Sequence, residues 1–239
     1  MNAAPFSPGR PMRLETSAGP LEDGDCLSSK EFLKRCEALP SPTKLELIEG
    51  IVQLDAVKNA PKSAGPRQIF AGWLESYAAA TPGIRFENSS TVLLDRENVP
   101  QPDAVLRILP EYKGRTQTSE KGYVIGAPEF VAEVIFSRGI KDLRAKLAAY
   151  RRNGIQEFLA WRFHEAIIEW FQMEKGEYTL NLPGPNNVLS SRVFPGLIVN
   201  ATAVLSLDLK ALKHTLKSGL DTPAHSAFVE RLARRKSAQ

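Results

Sequence analysis

The sequence predicts an α/β fold, and three observations carry the prediction. Residues 130–136 are apolar at every position except Glu133, the pattern of a strand buried within a sheet. Leu143, Leu147 and Tyr150 then recur at helical spacing, with Gly154 placed to take the left-handed conformation that closes a helix. Residues 155–163 follow as a second strand. Strand, helix and strand in that order form a crossover whose outer strands run parallel, in the usual right-handed sense.

The remaining elements follow in chain order. Pro5, Pro8, Pro11 and Pro20 deny the leader regular structure, so residues 1–27 are expected to be a mobile tail. Ser28 and Glu31 have capping-box spacing, and Phe32, Leu33 and Cys36 then fall near one helical face. Residues 45–54 read as a hairpin around Glu49-Gly50, with Glu46 on its first arm. Pro61 and Pro66 separate it from an amphipathic helix marked by Ile69, Trp73 and Tyr77 and closed by Pro82-Gly83. Strands are expected at residues 91–94 and 104–109, with Asp103 opening the second, and a polar loop at 110–122. In the strand at 130–136, Val131, Glu133 and Ile135 share one face and Phe130, Ala132, Val134 and Phe136 the other. A meander at 166–171 and 178–182 follows, and Phe194-Pro195-Gly196-Leu197 begins the closing segment. The expected organisation is thus a tail at 1–27, a central domain at 28–205, and a polar, helical, basic extension at 206–239.

With 239 residues, 43% of them hydrophobic, the chain can bury a real core. A formal charge of +4 is compatible with an anionic partner, but such a surplus is common among proteins that bind nothing acidic. Cys26 and Cys36 follow no disulfide or zinc pattern and read as reduced thiols. His164, His214 and His225 are scattered, so any metal here is held by oxygen, which suits magnesium or manganese. The first residues lack the apolar core of a signal peptide, and nowhere do about 18 apolar residues run together. A soluble, cytoplasmic protein is expected.

The chemistry lies in acids placed among apolar residues. A carboxylate at the edge of a core needs a partner, since burying it unpaired costs several kcal/mol, on the order of a domain's whole stability. Glu133 has no local reason to stand in mid-strand among Val, Ala and Ile. Asp103 follows Pro102 on a neighbouring apolar segment, and Glu46 lies on the hairpin. Their partner is either a divalent metal or a basic side chain such as Lys146. Phosphodiester hydrolysis needs a metal that polarises the phosphoryl group and a group that places water in line, roles open to the three acids and to Lys146 respectively. Each residue also has a plainer reading: Asp103 as a turn or cap, Glu46 as ordinary strand alternation, Lys146 as a snorkelling flank, and all four as internal salt bridges.

The motifs carry a resemblance. Leu45-Glu46-Leu47-Ile48-Glu49-Gly50, Pro102-Asp103-Ala104-Val105, the run from Ala127 through Glu133 to Ser137, Asp142 to Lys146 to Tyr150, and Gly154-Ile155-Gln156-Glu157-Phe158 stand in an order that resembles the Uma-two group of restriction endonucleases, within the PD-(D/E)XK nuclease superfamily. The resemblance spans roughly residues 32–205. It implies a restriction-endonuclease-like mixed central sheet flanked by helices, and a magnesium-dependent endonuclease hydrolysing phosphodiester bonds in DNA. Carried over by position, Asp103 and Glu133 bind metal, Glu46 is the accessory acid, and Lys146 is the catalytic lysine moved onto the helix. The superfamily's usual lysine position holds Ile135, a helix histidine is replaced near Pro66 or Arg67, Arg162 stands at a usual aspartate, and Phe136-Ser137-Arg138-Gly139 replaces a Ser-Pro-Ser-Thr-like turn.

These departures define the alternative, an inactive nuclease-fold protein that binds nucleic acid or serves as a scaffold. Arg231, Arg234, Arg235 and Lys236 read first as a solvated helix face and second as a phosphate-contacting segment. Trp73, Trp161 and Trp170 read as core. Cutting both strands of a duplex favours a symmetric homodimer.

Overall fold

A computed structural model describes residues 21–39, 44–54, 64–136 and 139–237 of the chain. Most of the tail expected at 1–27, together with Pro61 and the Ser137-Arg138 turn, lies outside the described residues. The last part of that expected tail is instead tied to the hairpin. The amide of Gly24 donates to Val52 O at 2.9 Å and that of Leu27 to Gly50 O at 2.9 Å, because the outer edge of the hairpin offers unpaired backbone groups.

Helix α1 (Ser29–Glu37) starts as expected, its first turn capped by the Ser28 side chain. Strands β1 (Leu45–Ile48) and β2 (Ile51–Leu54) form the expected antiparallel hairpin. Glu49 (φ 53°) and Gly50 (φ 72°) both take positive φ, as a two-residue hairpin turn requires. Helix α2 (Ala64–Ala79), β3 (Ile84–Asn88), β4 (Val92–Leu93) and β5 (Ala104–Ile108) follow. The stretch expected as a loop holds β6 (Gln117–Thr118), which joins β4 and β7 (Val124–Ile125) in a small sheet of its own. Strands two residues long are too short for side-chain alternation to show in the sequence.

The crossover is present: β8 (Phe130–Ile135), α3 (Gly139–Asn153) and β9 (Glu157–Arg162), with β8 and β9 parallel. Strands β10 (Ile167–Glu174) and β11 (Glu177–Asn181) complete the meander. The chain ends in β12 (Val188–Ser190), β13 (Ile198–Asn200), α4 (Ala201–Leu205), α5 (Leu209–Leu220) and α6 (Pro223–Ser237). The main sheet has six strands in the order β11-β10-β9-β8-β5-β3, and only the β8–β9 pair is parallel.

Alternation divides the sheet into two apolar faces. Phe130, Ala132 and Val134 join Ala104, Leu106 and Trp161 against Phe70, Trp73 and Tyr77 of α2. Val131, Val105, Phe158 and Ala160 face Leu143 and Tyr150 of α3. The segment expected as a polar extension shares the first of these cores: Leu212 and Leu216 of α5 and Phe228 and Leu232 of α6 are buried in it. Each helix carries its pair four residues apart, and the lysines and arginines between and around them mask it in the sequence. The three tryptophans are at most 1% exposed, as core residues should be. Among the described residues no helix is long and apolar enough to cross a membrane.

Candidate active site

Three separate stretches converge at one end of the sheet. Asp103 immediately precedes β5, whose Ala104 pairs with Ala132 of β8, so continuing that register by one residue sets Asp103 across from Glu133. The hairpin reaches the same place through Leu47, whose amide and carbonyl pair with Val99 at 3.1 and 2.8 Å. That pairing draws residues 99–103 alongside β1 and so brings Glu46 to the end of β5. Helix α3 lies over the face that carries Glu133, and Lys146 and Tyr150, four apart, point the same way from it.

The Lys146 ammonium binds Glu46 Oε2 at 2.9 Å and Oε1 at 3.1 Å, and donates a short hydrogen bond to Glu133 Oε2. Tyr150 donates its hydroxyl to Glu133 Oε1. The backbone amide of Gln101 donates to Glu46 Oε1 at 2.7 Å. Asp103 is held differently: Lys44 Nζ and Arg67 Nε each donate to Oδ1 at 2.9 Å, and the amide of Val134 donates to Oδ2 at 2.8 Å. Arg67 also lies over the Phe136 ring, 5.3 Å from its centroid. Glu46, Asp103, Glu133, Lys44 and Lys146 are all buried.

The structure therefore brings Glu46, Glu133 and Lys146 into direct contact and sets Asp103 beside them, tied to the residue after Glu133. Among the described residues, no three acidic side chains close on one point by themselves. Basic groups stand between them. Sequence reasoning missed Lys44, Arg67 as an Asp103 partner, and the Tyr150 hydroxyl. Lys44, just before β1, and Glu46 on it are two apart in extended chain, and Lys146 and Tyr150 are four apart on one helix, spacings that place each pair on a common face.

Charge states follow from these contacts. Burial pushes the Glu46 carboxyl up, but the Lys146 and Lys44 charges and the Gln101 amide outweigh it and hold Glu46 below the ordinary carboxylate range. Asp103 is likewise held low, its burial outweighed by Lys44, Arg67 and the Val134 amide. For Glu133 burial prevails, reinforced by the Glu46 charge, and its carboxyl is raised. Burial opposes the Lys146 charge, yet Glu133 and Glu46 overcome it and raise Lys146, which is therefore an ammonium.

The donor set fits a hard divalent cation in type. It offers three buried carboxylates, and the side-chain carbonyl of Gln101, the residue whose backbone amide meets Glu46, is buried without a hydrogen-bond partner. The acceptor atoms of the cluster are oxygens, the type that magnesium and manganese prefer.

Comparison with known proteins decides the family. A family model described as "Uma2: Putative restriction endonuclease" matches residues 29–205, most of the chain. The chain belongs to the Uma2 family. A solved protein from Anabaena variabilis ATCC 29413, described as a putative nuclease belonging to DUF820, superposes with a TM-score of 0.58 at 16% identity, over 76% of this chain and 98% of that one. At that identity the likeness is one of fold, a central mixed sheet flanked by helices. No curated protein matches the chain. The Uma2 match ends at residue 205, so α5 and α6 lie beyond it.

Proposed function

We propose that the protein is a divalent-metal-dependent endonuclease that hydrolyses phosphodiester bonds in DNA. The observation that carries this reading is the meeting of Glu46, Glu133 and Lys146, drawn from β1, β8 and α3, with Asp103 fixed alongside. Glu46, Asp103 and Glu133 would hold magnesium or manganese, which supplies phosphoryl polarisation and a bound water of lowered pKa.

The chain's own groups do the rest. Lys146 is charged, so it acts as a donor: it orients the attacking water or steadies negative charge growing on the phosphoryl oxygens, and it does not take up a proton. Tyr150 fixes the orientation of Glu133. Lys44 and Arg67 keep Asp103 ionised and in place, so it stands ready as a carboxylate. Ile135 leaves the strand without the superfamily's lysine, and the helix supplies one to the same acid. A symmetric pair of chains would cut both strands of a duplex.

The test is incubation of the purified protein with supercoiled plasmid and magnesium or manganese. Nicked and linear products from the parent, and none from Glu133→Gln, are expected. Failure of the parent to cleave DNA at any salt concentration would overturn the proposal.

One observation favours a second reading, an inactive nuclease-fold module that binds nucleic acid. Lys44, Arg67 and Lys146 already neutralise the three carboxylates without any ion. That reading predicts no site-specific uptake of a divalent cation.

A further inference from the structure

The chain's positive charge is not spread over the molecule. Residues 206–239 hold seven Lys/Arg against three Asp/Glu, a surplus of four that equals the net charge of the whole chain, so residues 1–205 are balanced. The surplus therefore belongs to α5 and α6, which lie beyond the family match and yet are anchored in the main core.

The two helices use their charges differently. In α6, Arg231 lies over the Phe228 ring, Arg234 faces Glu230 at 3.9 Å, and Lys236 lies over the Tyr112 ring. In α5, Lys210, Lys213 and Lys217 are exposed, and none forms an ion pair among the described residues. Their spacing of three and seven residues gathers them on one face, opposite the buried Leu212, Leu216 and Gly219. The stripe rises about 10 Å, roughly three phosphate-to-phosphate steps along one strand of a duplex.

The stripe is linked to the site through α2, although α5 and α2 pack on the sheet face opposite the one that carries Glu133. Along α2, a Cβ on Gly65 would lie 3.9 Å from Leu207, just before α5, and one on Gly72 would lie 3.5 Å from Leu209 at its start. The same helix carries Arg67 to Asp103.

We infer that Lys210, Lys213 and Lys217 form a sequence-independent phosphate track that holds the nucleic-acid backbone next to the Glu46–Asp103–Glu133–Lys146 site. This rests on the nuclease reading for its substrate and goes beyond it in assigning the surface that binds. The charge complementarity of a lysine face with no acidic counterpart favours a polyanion, and the packing of α5 on the helix that carries Arg67 to Asp103 favours the one that would be cut.

The experiment measures binding of a fluorescent DNA duplex to the full chain by anisotropy across a salt series without divalent metal. It compares the parent with Lys210→Ala/Lys213→Ala/Lys217→Ala and with Arg231→Ala/Arg234→Ala/Arg235→Ala. The α5 variant should bind at least about tenfold more weakly at low salt, and the slope of log affinity against log salt should fall by about 2 to 3, near one per lost phosphate contact. The α6 variant should stay close to the parent. Equal loss in both variants, an unchanged slope in the α5 variant, no DNA binding by the parent, or tighter binding to anionic vesicles than to DNA would each overturn the inference. Because binding is read without cleavage, the track stands if DNA binds through α5 but is never cut, whereas cleavage with an unchanged α5 slope removes the track alone. Thermal melting of the α5 variant should match the parent, since all three lysines are exposed.

Discussion

Oδ2 of Asp103 accepts a hydrogen bond from the amide of Val134 at 2.8 Å, tying the acid that opens β5 to the backbone next to Glu133 on β8. Sheet register and side-chain chemistry thus converge, and the position of one acid fixes the other. Lys44 and Arg67 then close on the remaining oxygen of Asp103.

Asp103→Asn should cost about 3 kcal/mol or more of stability, because it removes a buried negative charge that the buried Lys44 ammonium and the Arg67 guanidinium both contact. Urea unfolding measures this directly. A midpoint equal to the parent's would mean that the two cations find other partners.

Glu133→Gln should lower cleavage by about 100-fold or more, while Tyr150 and Lys146 can still hydrogen-bond the amide that replaces the acid. Rates at saturating DNA, beside a circular dichroism spectrum unchanged from the parent, check this. Near-parent rates would remove Glu133 from the chemistry.

Lys146→Met should destabilise strongly, by about 3–5 kcal/mol, because Glu46 and Glu133 then lose the one cation that contacts both of them. Adding Glu46→Gln and Glu133→Gln to it should recover part of that loss, since the exposed cost is that of the unpaired charges. Chemical denaturation of the single and triple variants decides it, and a triple variant less stable than the single one would contradict the account.

Much of this was legible in the sequence, for physical reasons. The crossover β8–α3–β9 announces itself because a strand buried on both faces must be apolar throughout, and because helical stripes repeat. Glu133 stood out as the single violation of that rule. The hairpin could be read from Glu49-Gly50, where both residues take positive φ. Lys44 and Arg67 were not legible as Asp103 partners, since nothing local says which of 31 basic residues meets an acid 59 or 36 positions away. The α5 and α6 core was hidden because charged residues separate its leucines, and the β4–β7–β6 sheet because its strands are two residues long.

Acid should act on the same contacts. Asp103 and Glu46 ionise below their ordinary values of 3.8 and 4.5 in the folded protein. The stability they contribute is therefore full above those values and is lost as pH falls through the lower, folded ones. Glu133, raised by burial, works the other way and costs stability as pH rises above its ordinary 4.5. Below the ordinary Asp103 value of 3.8 the parent should lose stability more steeply with falling pH than Asp103→Asn, as read from urea midpoints at each pH. Parallel curves would show that Asp103 titrates normally.

Calorimetric titration of manganese into the parent and into Glu133→Gln tests the central claim most directly, that Glu46, Asp103 and Glu133 form one cation-binding nuclease site beside Lys146. The account predicts a saturable site in the parent that is absent from Glu133→Gln. No saturable binding in the parent, or binding undiminished by the substitution, would contradict it.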